Sequence, residues 1–273
     1  MKITKLLALI LAVVLSLGAL TSCDAIYSFT ADKLIAQADK KLTEGPYKID
    51  LEMAFSSKNS EMNEAFSMFN DADIEAWYDG ANVAVFMDID TEIMGEDVGL
   101  SMEYRIVDKM AYAVASVEVQ GLSQTVKQKA ELSDEELEDF KDQNSGSGGV
   151  HYEDFEKSAL EMSDGKFIIT CTEITEDGAE KLKELLIEDQ LGEVAEDVDI
   201  EVSDVEVVCT LKGLQYESVK ISCKFIITIA GVSTTVSYVA ENNYEYGDDY
   251  KVEEPKNSQG YLEVDYDDLL SDF

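Results

Sequence analysis

The stretch NVAVFMDIDTEIMGEDVGLSMEYRIV, residues 82–107, decides the fold. Val83, Val85, Met87, Ile89 and Ile93 alternate along its first half, and Val98, Leu100, Met102, Tyr104 and Ile106 repeat the pattern beyond Met94-Gly95. A period of two puts each set on one face of a strand. The link between the runs is far too short for a parallel crossover, so the strands are antiparallel. Asp108-Lys109 turns into a further strand over residues 110–119. Upstream, Asp79-Gly80 is a hairpin signal joining a strand that begins near Ile74. An antiparallel meander is therefore expected through the middle of the first half.

Working outward, Tyr47, Ile49, Leu51, Met53 and Phe55 form another alternating strand. Before it, Leu34, Ile35, Ala38 and Leu42 make a helical stripe, with Thr30 as N-cap, Phe29 and Leu34 as a hydrophobic staple, and Gly45-Pro46 as the stop. Residues 58–70 place Met62, Phe66 and Phe69 at the spacing of a short helix between polar flanks. Ser133 and Glu136 form a capping box, and Leu132 with Leu137 a staple, at the start of a second helix. It runs into residues 144–149, a glycine- and serine-rich run read as a flexible linker. No Lys-Ser or Lys-Thr follows, so a phosphate-binding loop is not indicated.

The second half follows the same logic. Asp164-Gly165 turns into a strand over 167–174, and Asp177 caps a helix carrying Ala179, Leu182, Leu185 and Leu186, stopped near Gly192. Long strand patterns cover about 197–211, 216–230 and 232–240, and a last one is expected over 246–252 before Pro255. Residues 256–273 read as a loosely held acidic tail. Pairing Cys209 with Cys223 puts Val207 opposite Phe225, Val205 opposite Ile227 and Leu211 opposite Ile221, all on one apolar face. A disulfide fits that register. Two free thiols acting as small core residues are the favoured reading, because nothing else points to a disulfide-dependent fold.

The N-terminus reads as an address. Lys2 and Lys5 precede an apolar run from Leu6 to Leu20, short for a membrane span and matched to a secretory signal peptide. The run ends in Leu20-Thr21-Ser22-Cys23, which resembles the lipobox of bacterial lipoproteins. That resemblance implies cleavage before Cys23 and a diacylglyceryl thioether on its sulfur. Two acyl chains on one sulfur hold a protein firmly to a membrane, where one chain gives only reversible attachment. The expected organisation is a signal peptide over 1–22, a tether over 23–29, a domain over 30–255 and the acidic tail over 256–273.

Charge and composition narrow the function. The chain has 58 acidic against 21 basic residues, a formal charge of −37, and losing Lys2 and Lys5 takes it to −39. Such an excess excludes nucleic acid, whose affinity comes from basic residues on phosphates. It also keeps the body from lying on anionic lipid. With Cys23 lipidated, Cys171, Cys209 and Cys223 remain, and His151 is the single histidine. A zinc site or a histidine-based triad is therefore poorly supplied. Asp88-x-Asp90-x-Glu92 and Asp197-x-Asp199-x-Glu201 suggest calcium, yet lack the glycine and glutamate of an EF-hand loop and fit a solvated sheet face better. No catalytic residue, metal or cofactor is expected.

The order of helix, meander, helical segment, strand, helix and long strands, together with the lipobox, resembles the LolA/LppX-like lipoproteins. The closing stretch, Tyr244-Glu245-Tyr246-Gly247 through Tyr250 to Pro255, is similar to that group's ending. The resemblance implies an α+β fold, a curved antiparallel half-barrel with helices packed on its concave face, and an apolar cavity between them for a lipid or other hydrophobic ligand. Met53, Met87, Met102 and Met110 fall on or beside apolar strand faces, and their flexible thioethers suit a surface that accepts varied apolar shapes. An ordinary core position is the commoner role for any one of them. The expectation is a non-enzymatic binding protein held to the membrane through Cys23. The alternative is a surface interaction protein with a filled core, told apart by whether roughly 300 Å³ of accessible cavity exists.

Overall fold

A computed structural model describes residues 31–60, 63, 66, 69–80, 82–93, 96–134, 136–137, 152–183, 198–229, 232–266 and 269. The expectations for the signal peptide, Cys23, the tether, Thr30, Met62, residues 144–149, His151, Leu185, Leu186 and Gly192 fall outside the described residues. Helix α1 spans Ala31–Leu42 and is followed by β1 (Tyr47–Ser57), β2 (Asp73–Asp79), β3 (Asn82–Ile93), β4 (Glu96–Val107), β5 (Met110–Val119) and β6 (Leu122–Glu131). The second half contributes β7 (Phe155–Ser163), β8 (Lys166–Ile174), α2 (Glu176–Lys183), β9 (Val198–Lys212), β10 (Gln215–Ile229), β11 (Val232–Tyr246) and the two-residue β12 (Leu262–Glu263).

All twelve strands form one open, curved sheet in the order β12-β6-β5-β4-β3-β2-β1-β11-β10-β9-β8-β7. Two meanders meet where β1 pairs with β11, from Tyr47 opposite Tyr246 to Ser57 opposite Val236. Every pairing is antiparallel except β12 with β6, so the sheet is mixed rather than wholly antiparallel. The body is largely β; α1 packs against β10 and α2 against β9. Of the expected α1 stripe, Ile35, Ala38 and Leu42 are buried and Leu34 is half-buried against the main core, while Ala31 is buried beside them.

Three sequence expectations differ from the structure. The β9–β10 hairpin turns at Gly213-Leu214, where both residues have positive φ (59° and 68°), a two-residue turn that sets the register. Cys209 therefore opposes Val219 and Cys223 opposes Tyr238 on β11, and Val207 faces Ile221. Register shifts between Tyr216 and Ser218 and between Ser222 and Lys224 move the pairing further. The strand expected over 246–252 does not form, because β11 continues unbroken to Tyr246. Residues 256–266 do not trail loosely. Val252 and Tyr261 cover a small core on the back of the sheet with Ala84, Val107 and Tyr112, and Arg105 Nη1 donates to the Glu253 carbonyl at 2.9 Å. The chain then pairs with β6 as β12 and crosses to the main face, where Leu269 is completely buried and Tyr266 meets Tyr104 at 3.4 Å between hydroxyls. This strap wraps one edge of the sheet and covers backbone groups that an edge strand otherwise exposes.

Leu269→Ala tests the strap. A truncated, fully buried leucine costs about 2–4 kcal/mol, read as a lowered urea midpoint at unchanged m-value. An unchanged midpoint would mean that the chain end contributes nothing to the fold.

Candidate functional site

The main apolar face runs across β1 to β5, and three of the four sequence-selected methionines lie on it. Met87 and Met102 are cross-strand neighbours. Met53 is two residues beyond Leu51, which opposes Ile74 on β2, and Ile74 in turn opposes Met87. Met53 and Met87 are each 6% exposed, whereas Met102 is half-buried. Met110 lies apart. The two-residue link Asp108-Lys109 sets Val107 opposite Met110, and both belong to the back core with Tyr112. Alternation along β5 thus excludes Met110 from the face that holds the other three.

What covers this face is set by local backbone needs. β2 reaches only as far as Leu51 along β1, so the outer half of β1 lacks a strand on that side. Two asparagine amides take its place. Asn70 accepts from the Phe55 N–H at 2.7 Å and donates to the Phe55 carbonyl at 3.0 Å, and Asn63 makes the equivalent pair with Ser57 at 2.6 Å each. Strand backbone groups need partners, and these side chains supply them. They also bring in the aromatic covers: Phe66 stacks on Phe55 at 5.0 Å and Phe69 is buried in the main core. Farther along, Leu132 and Leu137 enter the same core from the capping box, where Ser133 N–H donates to Glu136 at 2.6 Å and Glu136 N–H to Ser133 Oγ at 3.2 Å. Among the described residues, none covers the face beyond Leu269 and Tyr266. Val98 and Leu100 are half-buried, and Val117, Val119 and Leu122 are exposed. Val117 opposes Leu100 and Val119 opposes Val98, so this open margin is continuous with Met102.

A polar cluster that sequence reasoning missed sits under the C-terminal half of α1. Tyr216 donates to Asp39 Oδ1 at 2.7 Å, Tyr216 and Tyr244 rings lie 5.4 Å apart, and Tyr47 stacks on Tyr78 at 4.9 Å. The second Asp39 oxygen and the Tyr78 and Tyr244 hydroxyls are buried without a hydrogen-bond partner among the described residues. Burial pushes the Asp39 carboxyl up to about 7, against the lowering effect of Tyr216. One signal was available: Asp39 stands four residues after Ile35, on the buried side of the helix. The native state therefore holds a proton that the unfolded chain releases between about pH 4 and 7. Stability from this group is fully present below that window and is lost as pH rises through it. Asp39→Asn keeps the acceptor for Tyr216 and removes the titration. The variant is expected to gain stability over the parent between pH 4 and 7 and to stay ahead at pH 8, by on the order of 2 kcal/mol after allowing for partial exposure. Parallel parent and variant profiles from urea unfolding would overturn this assignment.

Cys171, Cys209 and Cys223 are free and buried. Burial raises all three thiols, Cys171 to about 11 and Cys223 to about 12. Thiolate is the reactive form, so the folded thiols are inert. In a Cys23→Ser chain, thiol titration without reductant should count three groups after denaturation and a slow reaction before it; a count of one would reveal a bridge. Asp88 and Asp90 are exposed on the back face, and burial followed by the charges of Asp73 and Asp90 raises the Asp88 carboxyl. Among the described residues no group of three or more His, Cys, Asp or Glu side chains is arranged to hold a metal ion, and Asp197 lies outside them. No helix of the described residues is long and apolar enough to cross a membrane. Comparison with known proteins finds no family model that matches the chain and no matching curated protein.

Proposed function

We propose that this chain is a non-enzymatic lipoprotein of the cell envelope, held to the extracytoplasmic face of a membrane by lipid on Cys23, that binds a hydrophobic ligand such as a lipid. Its domain is a half-barrel of the LolA/LppX-like kind, with its helices on the concave face. The observation that carries the ligand reading is the apolar face running from Met53 through Met87 and Met102 to the uncovered margin of Val117, Val119 and Leu122. Such a face has a buried end that is specific in shape and an open end through which an apolar chain enters. Thioethers at Met87 and Met102 adapt to chains of different form. The acidic surface keeps the domain dissolved beside the bilayer rather than flattened on it. A second reading, an interaction protein with a filled core, is supported by the burial of Met53 and Met87 in one core with Phe69 and Leu269.

The test has two arms. Protein extracted from membranes should carry diacylglyceryl mass on Cys23, and Cys23→Ser should leave it in the aqueous fraction. Ligand binding is read from uptake of N-phenyl-1-naphthylamine, an apolar fluorescent probe. Met102→Gln buries an amide against the apolar ligand, costs about 1–3 kcal/mol and should weaken uptake roughly tenfold. Met110→Gln, on the opposite face, should leave uptake unchanged. A folded parent protein that takes up no probe would favour the filled core.

A further inference from the structure

The sheet has two unlike ends. At one end the links β2–β3, β4–β5, β7–β8 and β9–β10 contain Asp79-Gly80, Asp108-Lys109, Asp164-Gly165 and Gly213-Leu214. The opposite end gathers the links β3–β4, β5–β6 and β10–β11, as the registers require. Val119 opposes Val98, just past the β3–β4 link, and Val232 lies four residues beyond Val236, the partner of Ser57 at the end of β1. Leu122 is 78% exposed there, Val232 69%, Val117 42% and Val119 37%. These are four of the seven strongly exposed large apolar side chains among the described residues; the other three are Met162, beside the Asp164-Gly165 turn at the opposite end, Leu160 farther along β7, and Leu262 on β12.

The position of α1 says what this end meets. Tyr216, one residue into β10 from the polar end, bonds Asp39 near the helix C-terminus. The helix also contacts β7, and the Tyr152 hydroxyl and Cys171 thiol are raised first by burial and further by the charge of Asp32, near the helix N-terminus; Cys171 opposes Val207, itself opposite Ile221 farther up β10. The helix therefore climbs away from the polar turns, and its N-terminus points toward the apolar end. From Ile221 to the end of β10 is eight residues of strand, about 26 Å. From Cys23 to Ala31 is also eight residues, which reach about 28 Å at most. The lipidated residue can thus sit level with the exposed apolar side chains.

We propose that this apolar end is the bilayer-facing end of the domain, with Leu122, Val119, Val117 and Val232 set into the headgroup region of a neutral, zwitterionic bilayer. This rests on the anchoring proposed above. Glu96, Asp97 and Glu118 are exposed at the same end and disfavour anionic lipid, which selects the neutral surface. The acyl anchor holds the protein, and the apolar side chains set its tilt. The uncovered margin beside Met102 then opens directly onto the bilayer, which makes membrane lipid the source of ligand.

Lipidated full-length protein is bound to phosphatidylcholine vesicles after labelling Leu122→Cys, Val232→Cys or Lys109→Cys with an environment-sensitive nitrobenzoxadiazole dye; the native thiols are buried and do not compete. Emission at positions 122 and 232 should shift to the blue and be quenched by brominated phosphatidylcholine, while position 109, at the polar end, stays unshifted. Replacing a third of the lipid by phosphatidylglycerol should reduce the shift. Attached protein whose two ends emit alike would overturn the orientation, and so would a shift confined to position 109. Absence of lipid on Cys23, read separately by mass, would overturn the anchoring itself.

Discussion

The pairing of β1 with β11 turns two meanders into one sheet. Eleven residue pairs run from Tyr47–Tyr246 to Ser57–Val236, and they join segments near opposite ends of the described chain. Each half alone would present a bare edge at this seam. The other features of the main face attach to it: the tyrosines and Asp39 gather at one end of the seam, Asn70 and Asn63 complete β1 at the other, and the Gly247 N–H closes onto the Pro46 carbonyl at 3.2 Å. Such distant pairing carries a large loop-closure cost, so the seam forms late and needs the apolar side chains on both meanders to hold it.

The elements with strong alternation were legible. β1, β3 and β4 each alternate apolar residues on the main face with mostly polar or small residues on the back, Phe86 and Val107 excepted. β6 and β7 were not. β6 offers mostly Ser, Gln, Thr and Lys, with Gln128 in a buried position, and β7 is exposed along nearly its whole length. Strands at or near a sheet edge bury little, so periodicity has nothing to report. The β9–β10 register escaped because Leu214 takes a left-handed conformation that its side chain does not advertise. The strap was hidden by its acids: Tyr261 and Leu269 stand in a stretch rich in Asp and Glu, recognisable as anchors only once the surfaces they cover exist.

The candidate face was partly legible in the same way. Met53, Met87 and Met102 fell in step with their strands, while Met110 required the parity of a turn that sequence places only approximately. The carboxylate under α1 was masked by abundance. Among 58 acids, one that faces inward differs from the rest only by its phase on a helix, and the tyrosines around it are spread over β1, β2, β10 and β11. The cluster exists only because the seam brings those strands side by side.

The strap has a consequence for how the molecule comes into being. Among the described residues, the segment that wraps β6 follows every strand it covers, and β1 precedes all the others. As the chain is made, the first meander waits both for its neighbour at the seam and for the cover on its far edge, to which the buried Leu269 belongs. A chain ordered like this leaves its first meander with two bare edges until the second meander and the strap are added.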